Sequence, residues 1–107
     1  VTEASSAAAA APPEHFERDY ACTEAEWLRW LPEAVHGHTL AQPQAGLAVV
    51  ALPPGTLTLQ WQALPPRRIA LIVLPRLAVR FVFEAVPPPV RAAFLRRFDL
   101  FTQRGGG

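Results

Sequence analysis

The stretch from Arg76 to Gly107 constrains the fold more than any other part of the chain: three consecutive prolines join a strictly alternating segment to an amphipathic one. Leu77, Val79, Phe81 and Phe83 share one parity, and Arg76, Ala78, Arg80, Val82 and Glu84 share the other. Period two predicts a strand with one strongly apolar face. Pro87, Pro88 and Pro89 cannot continue a ladder, but a proline at the first helical position forfeits no intrahelical bond, so a helix is predicted from near Val90. On a helical wheel Val90, Phe94, Phe98 and Phe101 fall within roughly 80° of one another, with Ala93 and Leu100 widening the stripe on one side. Gly105 is expected to cap this helix in the left-handed conformation, just after the polar Gln103 and Arg104.

Upstream, prolines at 43, 53–54 and 65–66 leave segments of strand length between them. Gly46–Leu52 is mostly apolar. Thr56–Leu64 alternates, with Leu57, Leu59, Trp61 and Ala63 on one face and Thr56, Thr58, Gln60 and Gln62 on the other, while Ile69–Leu74 is apolar on both faces. His38–Gln42 adds a short candidate strand. Between Ile69–Leu74 and the Arg76 strand, either Pro75 bends one long strand or a tight turn or bulge lies there; the second is the expectation. Before the sheet, Thr23 and Glu26 form a capping box, Trp27, Leu28, Leu31 and Val35 make an apolar helical face, and Pro32 should kink or split that helix. The predicted class is therefore α+β: a four- to five-stranded antiparallel sheet, preceded by a short kinked helix and crossed by a long C-terminal helix. A helix of about 15 residues spans roughly 22 Å, enough to cross such a sheet. In element order the chain resembles the helix-on-curved-sheet layout of the TBP-like and helix-grip folds, which implies an architecture and no chemistry.

At 107 residues the chain is expected to form one domain over residues 15–107, after a flexible, acidic and alanine-rich tail over residues 1–14. The single cysteine, Cys22, allows no internal disulfide. The first 13 residues lack the basic and long apolar regions of a signal peptide, and Ile69–Leu74 is far too short to span a bilayer. A cytoplasmic location with no membrane partner is the expectation. Lysine, asparagine and methionine are absent while alanine, arginine and proline abound, a bias of bacterial-type, GC-rich codons that accounts for an all-arginine basic set without invoking phosphate recognition. Charge is divided along the chain: residues 1–26 carry a net −5 and residues 27–107 a net +6, an acidic arm before a basic body.

If both helices cover one sheet face, the other exposes an apolar patch including Ala78, Val82 and part of Ile69–Leu74. Three arrangements would hide it: helices on opposite faces, a homodimer, or a sheet curled around a ligand. On the wheel Arg97 lies inside the apolar arc, so it either snorkels, pairs with an acid such as Glu17, Asp19 or Glu33, or anchors an anionic ligand. Arg76 and Arg80 are further candidates, expected beside Gln60 and Gln62 on the polar parity. Nucleic-acid binding is disfavoured because Trp61, Phe81 and Phe83 take the apolar parity, leaving no platform for bases. Cys22 with His15, His36 and His38 is the one metal-like or catalytic collection, the thiol standing just before a helix N-terminus. No cofactor or metal site is expected from these spacings. The Gly105-Gly106-Gly107 end is similar to the tail of ubiquitin-like sulfur carriers, but it follows a helix and reads as a cap and frayed end. The functional expectation is a non-catalytic interaction domain, foremost a homodimer or partner of another protein. Small-molecule or anion binding through Arg97, Arg76 and Arg80 stands second, and an enzyme using Cys22, His36 or His38 third.

Overall fold

Seven elements account for nearly all of residues 12–106, which the computed structural model describes, with side chains through Thr102. They are β1 (His15–Tyr20), α1 (Glu24–Ala34), β2 (Leu40–Gln44), β3 (Leu47–Leu52), β4 (Gly55–Ile69), β5 (Ile72–Glu84) and α2 (Pro88–Gly106). The strands form one antiparallel sheet in the order β1-β5-β4-β3-β2. β2 to β5 are thus consecutive hairpins, β1 lies at the opposite edge from β2, and α1 makes the crossing between those edges. This is the α+β arrangement expected.

The apolar parity of each central strand faces both helices. Ala48 of β3, Leu59 of β4 and Phe81 of β5 lie in one cross-strand row, as do Val50, Leu57 and Phe83, and all six are buried. Trp27 and Leu31 from α1 and Phe94, Leu95 and Phe98 from α2 complete the core. The Trp27 ring lies 5.7 Å from Trp61 and 6.0 Å from Phe98, and Phe98 meets Phe81 edge-on at 5.7 Å. Two helices and one sheet face therefore share a single core, so the helices do not divide between the two faces. Only one parity of the sheet is apolar throughout; the other mixes Thr56, Thr58, Gln60, Gln62, Arg80 and Glu84 with the half-buried Leu47, Val49, Ala78 and Val82.

Local signals set the helix boundaries. The Glu26 amide donates to Thr23 Oγ1 at 3.1 Å and the Thr23 amide to Glu26 Oε1 at 2.9 Å, closing the capping box. α1 continues through Pro32 as one helix, because the proline stands near its end, where a missing N–H interrupts only the last turn. α2 begins in the triple proline at Pro88 and runs through Gly105, so Gly105 is not its cap. Its buried stripe is Phe94, Leu95, Phe98 and Thr102, with Arg91 half-buried beside it. Leu100 is 52% exposed and Ala93 is also exposed, so the stripe widens on the side opposite to that expected. Arg97 is thereby displaced from the apolar arc into solvent. The Arg104 side chain, Gly107 and residues 1–11 of the tail lie outside the described residues.

The acidic segment holds a strand that the sequence pattern did not reveal. Phe16, Arg18 and Tyr20 of β1 point to the helices, and His15, Glu17 and Asp19 point away. Phe16 stacks on Phe81 at 4.6 Å, and Arg18, lying 5.3 Å and 5.5 Å from the Phe16 and Phe81 ring centres, forms an ion pair with Asp99 of α2. A charged residue at the centre of its inward parity hides β1 from a periodicity argument. Residues 15–20 are a docked edge of the sheet, not part of a separable arm.

A second correction concerns Ile69–Leu74, expected as a strand of its own and found at the tip of the β4–β5 hairpin. No turn occurs at Pro75: β5 is continuous through it, and the irregularity lies opposite, between Leu64 and Arg67, where Pro65-Pro66 shifts the register of β4. The chain reverses at Ala70-Leu71 between the paired Ile69 and Ile72. Ala70 takes φ +55°, the left-handed conformation usually given to glycine, so no residue type advertises this turn.

Candidate interaction surface

β1 ends against β5 at the Tyr20–Leu77 pair and β3 ends against β4 at Leu47–Gln60, while β4 and β5 continue beyond both. From Leu77 to Ile72 the free hairpin extends five residues, about 17 Å at strand rise. Arg67 pairs with Leu74, Arg68 with Val73 and Ile69 with Ile72. Cross-strand partners share a face, so Arg67, Ile69, Ile72 and Leu74 lie on one side and Arg68 and Val73 on the other.

Neither side is covered. Ile69 is 51% exposed, Ile72 57% and Val73 49%, and Leu71 at the apex is 99% exposed. With Leu74, these side chains present apolar surface of several hundred Å², the scale at which a patch on a monomer marks a contact site. Along the hairpin itself, from Trp61 to Phe83, there are four arginines, at 67, 68, 76 and 80, and no acid, although Asp19 and Glu17 of β1 stand against Arg76 and Arg80 at its base. Among the described residues Arg67 and Arg68 make no ion pair.

The three arginines singled out as anion ligands do not converge. Arg76 is at the base of the hairpin, its guanidinium 2.6 Å from Asp19 of β1. Arg80 stands on the uncovered sheet face, in register with Gln60 on one side and Glu17 on the other. Those residues border an open concavity of about 570 Å³ in which Glu17 and Asp19 offset the arginine. Arg97 lies at the other side of the sheet, on α2, beside a shallow groove of about 270 Å³ shared with His36, His38 and Phe94. The His38 ring packs edge-on to Phe94 at 5.6 Å.

Cys22 is 1% exposed, in the link from β1 to α1. Burial first, and the Glu26 carboxylate second, push its thiol up to about 11, outweighing the helix N-terminus expected to lower it. His36 and His38 are exposed in the link from α1 to β2. Tyr20 is also raised above its ordinary value, chiefly by burial. The Arg18 guanidinium is held above its own because, although burial, the largest single effect, opposes its charge, the hydrogen bond to Asp99 and the interactions with Tyr20 together more than compensate. Among the described residues no group of three or more His, Cys, Asp or Glu side chains is placed to hold a metal ion, and no helix is long and apolar enough to cross a membrane. No family model matches the chain, and no curated protein matches it.

The hairpin tip is the functional candidate that sequence reasoning placed wrongly. The apolar run is legible in the sequence, but its strand-like composition places it on a sheet face. The usable signal was an apolar run immediately behind two arginines, bracketed by Pro65-Pro66 and Pro75: prolines that a central strand would not carry on either side of it.

Proposed function

We propose that this chain is a non-catalytic binding module whose working surface is the projecting end of the β4–β5 hairpin. The observation that carries the reading is the exposure of Ile69, Leu71, Ile72 and Val73 together at the end of a two-stranded ribbon. Such a ribbon is at best marginal alone in water; Leu71 would gain about 1.5–3 kcal/mol from full burial, and the half-exposed Ile69, Ile72 and Val73 about half that each. A surface outside the hairpin is the natural recipient of that gain. The high Cys22 pKa and the separation of Arg97 from Arg76 and Arg80 favour this reading over thiol chemistry and over one convergent anion site.

An environment-sensitive dye on a Leu71→Cys variant tests it, because buried Cys22 should leave position 71 as the reactive thiol. Emission should shift to the blue with rising protein concentration, with a soluble cell extract or with a membrane fraction, depending on what covers the tip. Emission that stays water-like under all three conditions rejects the hairpin as the working surface.

A further inference from the structure

We propose that the hairpin tip docks on an anionic lipid surface, with Leu71, Ile69 and Ile72 entering the headgroup–acyl boundary and Arg67 and Arg68 meeting the phosphates. This rests on the reading of the tip as the working surface and names its partner.

Charge is the first argument. The apolar apex is preceded directly by Arg67 and Arg68, which make no ion pair among the described residues, whereas Arg76 is engaged by Asp19; the charge nearest the tip is therefore that of these two arginines, and it suits a negatively charged surface. Geometry is the second. From the level of Arg68 to the apex is two to three residues along the strand, about 7–10 Å, close to the 5–10 Å depth at which apolar groups of interfacial segments settle. The ladder from Arg67–Leu74 to Ile69–Ile72 also satisfies much of the tip's backbone internally, which entry into a dry layer requires.

A second copy fits less well. The exposed apolar surface falls short of the roughly 800 Å² that each partner contributes to a stable interface. A two-fold axis through the tip would bring Arg67 and Arg68 against their own copies. Strand addition along the free edges is opposed by Pro65, Pro66 and Pro75, which offer no N–H. That no helix among the described residues is long and apolar enough to cross a membrane does not bear on a contact of this kind, since a surface-seated hairpin crosses nothing.

The test is co-sedimentation of the full chain with vesicles of phosphatidylcholine alone and of three parts phosphatidylcholine to one part phosphatidylserine. Binding is expected only to the second, weakening as salt is added. Leu71→Glu should reduce it at least tenfold. The double variant Arg67→Gln, Arg68→Gln should reduce it roughly 25-fold, about fivefold for each arginine near the surface. Both changes are at exposed positions, so an unchanged urea midpoint should accompany them. Failure to sediment with either vesicle, or undiminished binding by Leu71→Glu, overturns the proposal. A dimer that Leu71→Glu dissociates, without vesicle binding, also overturns it and assigns the tip to a second copy. The dye at position 71 separates the two readings. If vesicles leave it unshifted while concentration or soluble extract shifts it, only the lipid assignment falls; if nothing shifts it, the working surface falls too.

Discussion

Cys22 should make this protein lose stability in alkali, and the size of the loss follows from its place in the fold. The perturbation is a rise in pH from 8 to about 11.5, compared between wild type and Cys22→Ala. In the unfolded chain the thiol ionises near its ordinary 9.0, whereas in the folded chain burial and Glu26 delay ionisation to about 11. Between those values the unfolded state has released a proton that the folded state keeps. The thiol's contribution is thus fully present below pH 9 and is lost as pH rises through about 11. Two pH units at about 1.4 kcal/mol each set an upper limit of about 3 kcal/mol, and local opening of this link between β1 and α1, which lets the thiol ionise without global unfolding, brings the expectation to about 1–2 kcal/mol. Tyr20, raised chiefly by burial, adds a slope of the same sign above pH 10, its ordinary value, which remains in Cys22→Ala. The difference between the two proteins in urea unfolding therefore isolates the thiol. A parallel assay is the reaction of native protein with a disulfide reagent at pH 8. It should run roughly tenfold slower than for a free thiol on pKa alone, a roughly hundredfold smaller thiolate population being partly offset by the greater nucleophilicity of a more basic thiolate, and slower still from burial. Equal pH profiles for the two proteins, or rapid labelling of the native thiol at pH 8, would refute the reasoning and return Cys22 to the candidates for catalysis.

Two further perturbations probe how the sheet is closed. A Cβ at Gly55 would stand 1.9 Å from the Glu84 carbonyl oxygen and 2.5 Å from the Ala85 backbone, so Gly55→Ala must force β4 and β5 apart; a loss of about 3 kcal/mol or more is expected in urea unfolding, and a loss below about 1 kcal/mol would contradict that contact. A double-mutant cycle with Arg18→Met and Asp99→Ala should give a coupling of about 1 kcal/mol, modest because each side chain keeps about 30% of its exposure, and faster amide exchange confined mainly to β1; zero coupling would mean that Phe16 stacking alone docks the strand.

Much of this fold is written in local pattern. The parity of Leu77, Val79, Phe81 and Phe83 and that of Leu57, Leu59 and Trp61 follows from the pleat, and each of these side chains is buried as the alternation requires. The Thr23–Glu26 capping box needs only residues three apart, and the triple proline fixes where α2 can begin. Such features depend on neighbours within a turn or a pleat, so the chain carries them in order along its length. The α+β class follows from them.

What the tertiary structure alone decided is which strands have neighbours and which side chains keep water. β1 is a strand because Phe81 offers a ring to Phe16 and Asp99, 81 residues away, receives Arg18. The side toward which the α2 stripe widens depends on where Trp27 and Phe81 stand, and that choice put Leu95 inside and Arg97 out. Ile69–Leu74 has the composition of a buried strand, yet β1 and β3 stop short of it, leaving the most apolar run of the hairpin in solvent. Hydrophobicity states what a segment gains by burial; only the assembled chain determines whether anything in it remains to do the burying.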